Sequence, residues 1–115
     1  MGKGLIFLFS LIVMSQSSWA VPPSTPELIQ KGKAAYAVNC IVCHGGSGDG
    51  NGMAGAAMNP KPRDFIAGKY KKGSTPENIF NTITHGLDGT AMAGFPSLSE
   101  TDRWGLTYYI LTFKK

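Results

Sequence analysis

The sequence predicts an all-α fold, a compact helical domain with long loops, and three observations carry that expectation. Three segments open on a hydroxyl or acidic cap and continue with apolar residues at helical spacing. No run alternates apolar and polar residues as a strand would, and the stretches between the helical segments are dense in glycine and proline. The 115 residues, 43% hydrophobic and 16% charged, suit one small domain and exclude a disordered polyelectrolyte.

Residues 1–20 read as a cleavable export signal. Lys3 supplies the positive end, Leu5 to Met14 form an apolar run, and Ser18-Trp19-Ala20 places small residues where signal peptidase cuts, after Ala20. The run is about ten residues against the roughly twenty that a membrane-spanning helix needs, so an uncleaved anchor is the lesser reading. No later segment approaches transmembrane length, and a periplasmic location is expected. Eleven basic residues less Lys3, set against seven acidic ones, leave side chains summing to +3. Lys61, Arg63, Lys69, Lys71 and Lys72 concentrate that charge in one segment. With no zinc-finger spacing, stacking array or phosphate loop, nucleic acid is excluded as a partner, and a basic face for docking an acidic partner is the better reading.

Residues 21–26 form a proline-rich leader, and the domain proper spans 27–115. The first helix is expected over about 26–39, with Ser24/Glu27 as a capping box or Thr25/Pro26 as cap and first turn. Leu28, Gly32 and Tyr36 fall on one face, where the glycine lets another helix cross closely. Residues 45–56 hold six glycines and are expected to form an ordered loop rather than a linker. Pro60 and Pro62 stiffen the irregular stretch that follows. A second helix starts at Ser74-Thr75-Pro76-Glu77, buries Ile79, Phe80 and Ile83, and stops at Gly86. The third, capped near Ser99 and Asp102, runs over about 100–113. Its Trp104, Leu106, Tyr108, Tyr109, Ile110, Leu111 and Phe113 are too many large residues for one stripe and must pack on two bodies.

The chemistry sits in Cys40-Ile41-Val42-Cys43-His44. Two thiols three positions apart followed at once by an imidazole match the attachment pattern of c-type haem: each thiol adds to a vinyl group and the histidine reaches the iron. A redox dithiol would need a strand before and a helix after the pair, and zinc would need two further ligands where only His85 or carboxylates are obvious. A neutral thioether suits the opposite haem face, and Met92, Met58 and Met53 compete for it. Met53 lies only nine residues past His44, an awkward reach. His85 offers a bis-histidine alternative, although the end of a helix is also an ordinary place for an imidazole.

From Gly32 and Tyr36, through Cys40-Ile-Val-Cys43-His44-Gly45 and Gly89-Thr90-Ala91-Met92, to Leu106 and Tyr109-Ile110, the chain resembles the class I cytochrome c family, specifically its small bacterial monohaem members. The resemblance covers roughly residues 27–113. It implies a cytochrome c-like domain around one covalently attached haem c, its first and last helices crossing. It assigns the thioether bonds to Cys40 and Cys43, the proximal iron ligand to His44 and the distal one to Met92. It also implies a proline carbonyl, of Pro60 or Pro62, bonded to His44, which would fix the ring plane. Arg63, Lys69, Tyr70 and Trp104 are candidates for the propionates or the haem edge. Family members frequently carry proline directly after the ligand methionine, where this chain has Ala93, which predicts a less restricted loop.

The function expected is that of a monomeric one-electron carrier, not an enzyme, cycling between ferrous and ferric iron and meeting redox protein partners. The alternatives are a dedicated haem c subunit of a larger redox complex, and a haem peroxidase or gas sensor with an open or displaceable distal ligand.

Overall fold

A computed structural model describes residues 2–13 and 20–115. Ser18 and Trp19 of the expected cleavage motif lie outside the described residues. Four α-helices follow in order, α1 Pro26–Asn39, α2 Ile41–His44, α3 Pro76–His85 and α4 Glu100–Leu111, with a 3-10 turn at Gly55–Ala57. Among the described residues there is no sheet, only an isolated bridge between Gly86 and Ala93. No described helix is long and apolar enough to cross a membrane.

The expectation of a compact shape is corrected. The chain extends 88 × 31 × 23 Å with a radius of gyration of 21.2 Å, where a compact chain of this length would have about 13 Å. The cause is at the amino end, where the large apolar residues from Leu5 to Val13 are 77–93% exposed and pack on nothing.

The starts of α1, α3 and α4 each have a local cause. Thr25 caps α1, its hydroxyl accepting from the Leu28 N–H at 3.2 Å, with Pro26 in the first turn. Of the two predicted starts, this is the one the chain uses. Thr75 and Pro76 repeat the arrangement at α3, and Ser99 caps α4 through the Asp102 N–H. The last helix ends at Leu111 rather than 113, and Phe113 turns back to lie 5.5 Å from the Tyr36 ring.

The core is built on the crossing of α1 and α4. A β-carbon at Gly32 would lie 1.9 Å from the Gly105 carbonyl oxygen, and one at Gly105 would lie 2.7 Å from the Gly32 nitrogen. Two bare backbones therefore touch, and neither tolerates a side chain. One turn along, Tyr36 meets Tyr109 edge-on at 5.2 Å and donates its hydroxyl hydrogen bond to the Gly45 carbonyl at 2.6 Å. Leu106 and Ile110 fill the space beneath, at 0% and 3% exposure.

On its other side α4 holds α3. Trp104 stacks on Phe80 at 4.1 Å, and the Arg103 guanidinium lies 4.9 Å from the same ring. Arg103 also donates to Thr84 Oγ1 and to the Leu98 carbonyl, joining both helices to the segment between them. Tyr108 donates to the Pro22 carbonyl at 2.6 Å and so fastens the leader to the outside of α4.

Candidate haem-binding site

The Cys-Xaa-Xaa-Cys-His segment leaves α1 directly and folds as α2. Cys40 closes α1 through its N–H to the Tyr36 carbonyl, and the His44 N–H reaches back to the Cys40 carbonyl at 2.9 Å. This single turn brings Cys40, Cys43 and His44 to one wall of a cavity of about 390 Å³. Both thiols are free, Cys40 buried and Cys43 partly so. Burial, with a smaller contribution from Cys43, pushes the Cys40 thiol up to about 11.

The glycine-rich loop wraps this turn. A β-carbon at Gly52 would fall 2.5 Å from the Val42 carbonyl oxygen and one at Gly55 2.2 Å from that of Cys43. The Gly52 and Ala54 N–H groups bond the Cys43 and Val42 carbonyls at 3.0 and 2.9 Å. The glycines are needed for close approach, and the loop is ordered because it satisfies the backbone of the turn that carries the thiols.

His44 is buried, and its Nδ1 lies 3.1 Å from the Arg63 carbonyl oxygen. The expected carbonyl of Pro60 or Pro62 is thus corrected to that of the next residue, with Pro62 stiffening the approach. Donation from Nδ1 leaves the Nε2 lone pair free to bind a metal. Burial lowers the His44 pKa below the usual histidine value, opposed by the Arg63 bond, so the neutral, ligating form prevails. Phe65 stacks on the imidazole at 4.4 Å and 18° and holds its plane.

Met92 lines the same cavity from the segment after α3. Without a following proline, the loop is held by hydrogen bonds. The Thr90 hydroxyl donates to the Leu87 carbonyl at 2.8 Å and accepts from the Met92 N–H at 3.1 Å, and the Leu87 N–H returns to the Met92 carbonyl. Thr90 enters the sequence only as part of the Gly89–Met92 string, and a hydroxyl two positions before the methionine is the signal of its role. Met58 also lines the cavity, whereas Met53 is 93% exposed. His85 is exposed at the end of α3 and stands outside the lining.

Of the four candidates for the haem edge, Arg63 and Tyr70 line the cavity and Lys69 does not. Trp104 is corrected outright, because it is spent on Phe80 and Tyr108. Lys61, Lys71 and Lys72 join Arg63 as a basic rim.

The donor set and the walls fit a haem. Among the described residues no three His, Cys, Asp or Glu side chains gather as a metal site, which disfavours zinc. One imidazole and thioether sulfurs face a largely apolar space walled by Ile79, Ile83 and Ile110, a volume within the range of small-molecule sites. Tyr70 also lines the cavity, and its hydroxyl is buried with no hydrogen-bond partner among the described residues.

Known proteins agree with this geometry. The chain is similar to the cbb3-type cytochrome c oxidase subunit FixP of Azorhizobium caulinodans, 36% identical over 95 residues, covering 83% of this chain and 30% of the relative. It is 33% identical over 78 residues to the FixP subunit of Rhizobium meliloti, covering 68% of this chain and 25% of that one. A chain of the Kuenenia stuttgartiensis reducing HAO-like protein complex superposes with a TM-score of 0.77 at 33% identity, over 84% of this chain and 48% of that chain. The chain thus spans less than a third of the curated relatives. Residues 27–110 match the family described as cytochrome c oxidase, cbb3-type, subunit III, and with the haem-attachment spacing and all-α cavity already in place, the chain belongs to that family.

Proposed function

We propose that this chain is a haem c domain that passes single electrons within a respiratory oxidase-type assembly, as a subunit or subunit-like part of it. The observation that carries the reading is the convergence of Cys40, Cys43, His44 and Met92 on one apolar cavity. In this reading Cys40 and Cys43 hold the haem by thioether bonds, His44 binds the iron through Nε2, and Met92 binds it from the facing segment. Bound there, haem supplies a one-electron ferrous/ferric couple. The chain's own work is to keep both axial donors in place: the Arg63 carbonyl and Phe65 orient His44, and Thr90 orients the Met92 backbone. The apolar walls limit water at the metal.

A free periplasmic shuttle was the first expectation from sequence. The subunit alternative is better supported, because the matched family and relatives are oxidase subunits. A peroxidase or sensor would need an open or displaceable distal position, whereas Met92 lines the cavity as a candidate distal ligand and His85 stands outside it. Export, with the new amino terminus at Val21, is part of the same proposal; mass measurement of the mature protein reads it directly.

The deciding experiment is expression in a host that attaches haem and contains the oxidase. The protein is expected to stain for haem after denaturing electrophoresis, and Cys40→Ser with Cys43→Ser is expected to abolish the stain. Co-purification with oxidase subunits is expected; recovery of the haem protein alone would return the reading to a free shuttle. Loss of haem from the unaltered protein on the denaturing gel would overturn the site.

A further inference from the structure

The segment that carries Met92 has no proline after the methionine, and its backbone lies against the end of α3. Gly86 and Ala93 form an antiparallel bridge there. The Leu87 N–H donates to the Met92 carbonyl at 3.1 Å, and the Phe95 N–H donates to the Ile83 carbonyl at 2.8 Å. One bond at the methionine and another three residues on fasten the segment to the last turn of α3 and the residues just past it.

Glycine on both sides sets how closely the two stretches approach. A β-carbon at Gly86 would lie 2.5 Å from the Met92 carbonyl oxygen and 2.7 Å from the Gly94 nitrogen. One at Gly94 would collide with the Thr84 carbonyl oxygen and lie 2.7 Å from the His85 carbonyl carbon. These neighbours are all backbone atoms, so no side-chain rotation relieves the clash. Gly86 also has a φ of 75°, whereas Gly94 is not among the glycines with positive φ. A change at Gly94 therefore tests close approach alone.

The α3 side of the contact is held in place. Arg103 of α4 donates to Thr84 Oγ1 at 2.8 Å, and that hydroxyl donates to the Phe80 carbonyl at 2.9 Å. The Phe80 ring is itself stacked on Trp104 of α4. A methyl group at Gly94 would have to break this pairing of helices to displace α3, so the lighter segment yields instead.

Resting on the haem reading above, we propose that Gly94 is a positioning residue for the distal ligand: its bare α-carbon seats the segment on α3 at the depth from which Met92 reaches the iron. The close approach supplies the restraint that a proline after the methionine would otherwise give. One added carbon at Gly94 then separates a closed electron carrier from a haem domain whose distal position opens to small ligands. Lifting the segment off α3 draws the Met92 sulfur away and enlarges the fraction of molecules with that position free. A nitrogen donor that must displace the sulfur binds more tightly in proportion to that fraction, and loss of a thioether lowers the reduction potential.

The test is Gly94→Ala in the haem-loaded protein, read by the ferric near-infrared band, midpoint potential and imidazole titration, with far-ultraviolet circular dichroism reporting the helices. The expected result is covalent haem and helix content retained, a weakened sulfur-to-iron band, a lower potential, and imidazole bound about tenfold more tightly or more. A merely structural role is separated by the double variant. Because Gly94 acts through Met92, adding Gly94→Ala to Met92→Ala is expected to leave potential and imidazole affinity where Met92→Ala puts them. Full additivity would overturn the proposal, as would a Gly94→Ala protein with the band, potential and imidazole affinity of the parent. Should Gly94→Ala not accumulate, the parent decides. Amide exchange at Leu87 and Phe95 is expected to quicken when imidazole displaces Met92, and unaltered exchange would overturn the seat on α3. A parent without covalent haem on a denaturing gel refutes the site reading itself, and the proposal with it.

Discussion

Gly32→Ala is the most exacting test of the fold. The added carbon would sit 1.9 Å from the Gly105 carbonyl oxygen, where ordinary contact begins at 3.4 Å, so α1 and α4 must part by about 1.5 Å. Neither backbone has a side chain to rotate away, and overpacking of this kind costs about 1–3 kcal/mol, more when relief is blocked. Alanine returns about 1 kcal/mol of helix propensity. Separation also loosens Leu106 and Ile110, which are buried beneath the crossing, so the strain should fall at or above the upper limit. The expected net loss is about 2 kcal/mol or more, or roughly 8–16 °C in melting temperature for a domain of this size. The assay is guanidinium and thermal unfolding of the holoprotein, followed by far-ultraviolet circular dichroism and haem absorbance together. Gly46→Ala is the control, because its new carbon would meet only Ile41 Cδ1 at 3.8 Å. A Gly32→Ala protein as stable as the parent, or stabilised by the propensity gain, would refute the backbone crossing.

Met92→Ala is expected to remove the near-infrared sulfur-to-iron band of the ferric protein and lower the reduction potential, while Met58→Ala leaves both intact; the reverse pattern would move the distal role to Met58. Pro62→Gly should slacken the Arg63 carbonyl against His44, weaken the ring's donation and raise the potential, and an unchanged potential in spectroelectrochemistry would count against that contact. Arg103→Lys keeps the charge but loses the fork between Thr84 and Leu98, and a loss of about 1–2 kcal/mol is expected in chemical denaturation. Tyr36 is held above the ordinary tyrosine value chiefly by burial, so its contribution is complete below pH 10 and is lost as pH rises beyond it. Alkaline titration of stability should therefore fall from about pH 10 in the parent and be flatter in Tyr36→Phe, which at neutral pH costs about 1 kcal/mol for the lost bond to Gly45.

Much of this was legible because local rules carry it. Thr25, Thr75 and Ser99 cap by chemistry that acts within three residues, and the cysteine and histidine spacing is itself a one-turn geometry. The helix crossing was legible from one side only. Gly32 announced a close approach, but Gly105 lies among large residues that dominate the reading of α4, and no periodicity marks a glycine as the partner of another. The carbonyl bonded to His44 was off by one residue because a backbone acceptor has no side-chain signature; proline constrains the turn, while the turn decides which oxygen points inward. Trp104 illustrates the remaining difficulty. A large aromatic near the end of a haem domain suits the ligand or the opposite helix equally well, and only Phe80 at 4.1 Å distinguishes them.

The pairing of α1 with α4 also sets an order of events for the proposed export. On the proposed export the chain crosses the membrane from its amino end, so Cys40, Cys43 and His44 emerge well before α4, the partner that packs over Tyr36 and contributes Ile110 to the cavity wall. Until Glu100–Leu111 arrives, the thiols lack the wall that Ile110 supplies. On the proposed chemistry, that interval leaves them open to the machinery that joins haem to protein, and arrival of the last helix ends it. On that proposal, α4 completes the cavity wall only after the segment that carries the thiols has been delivered.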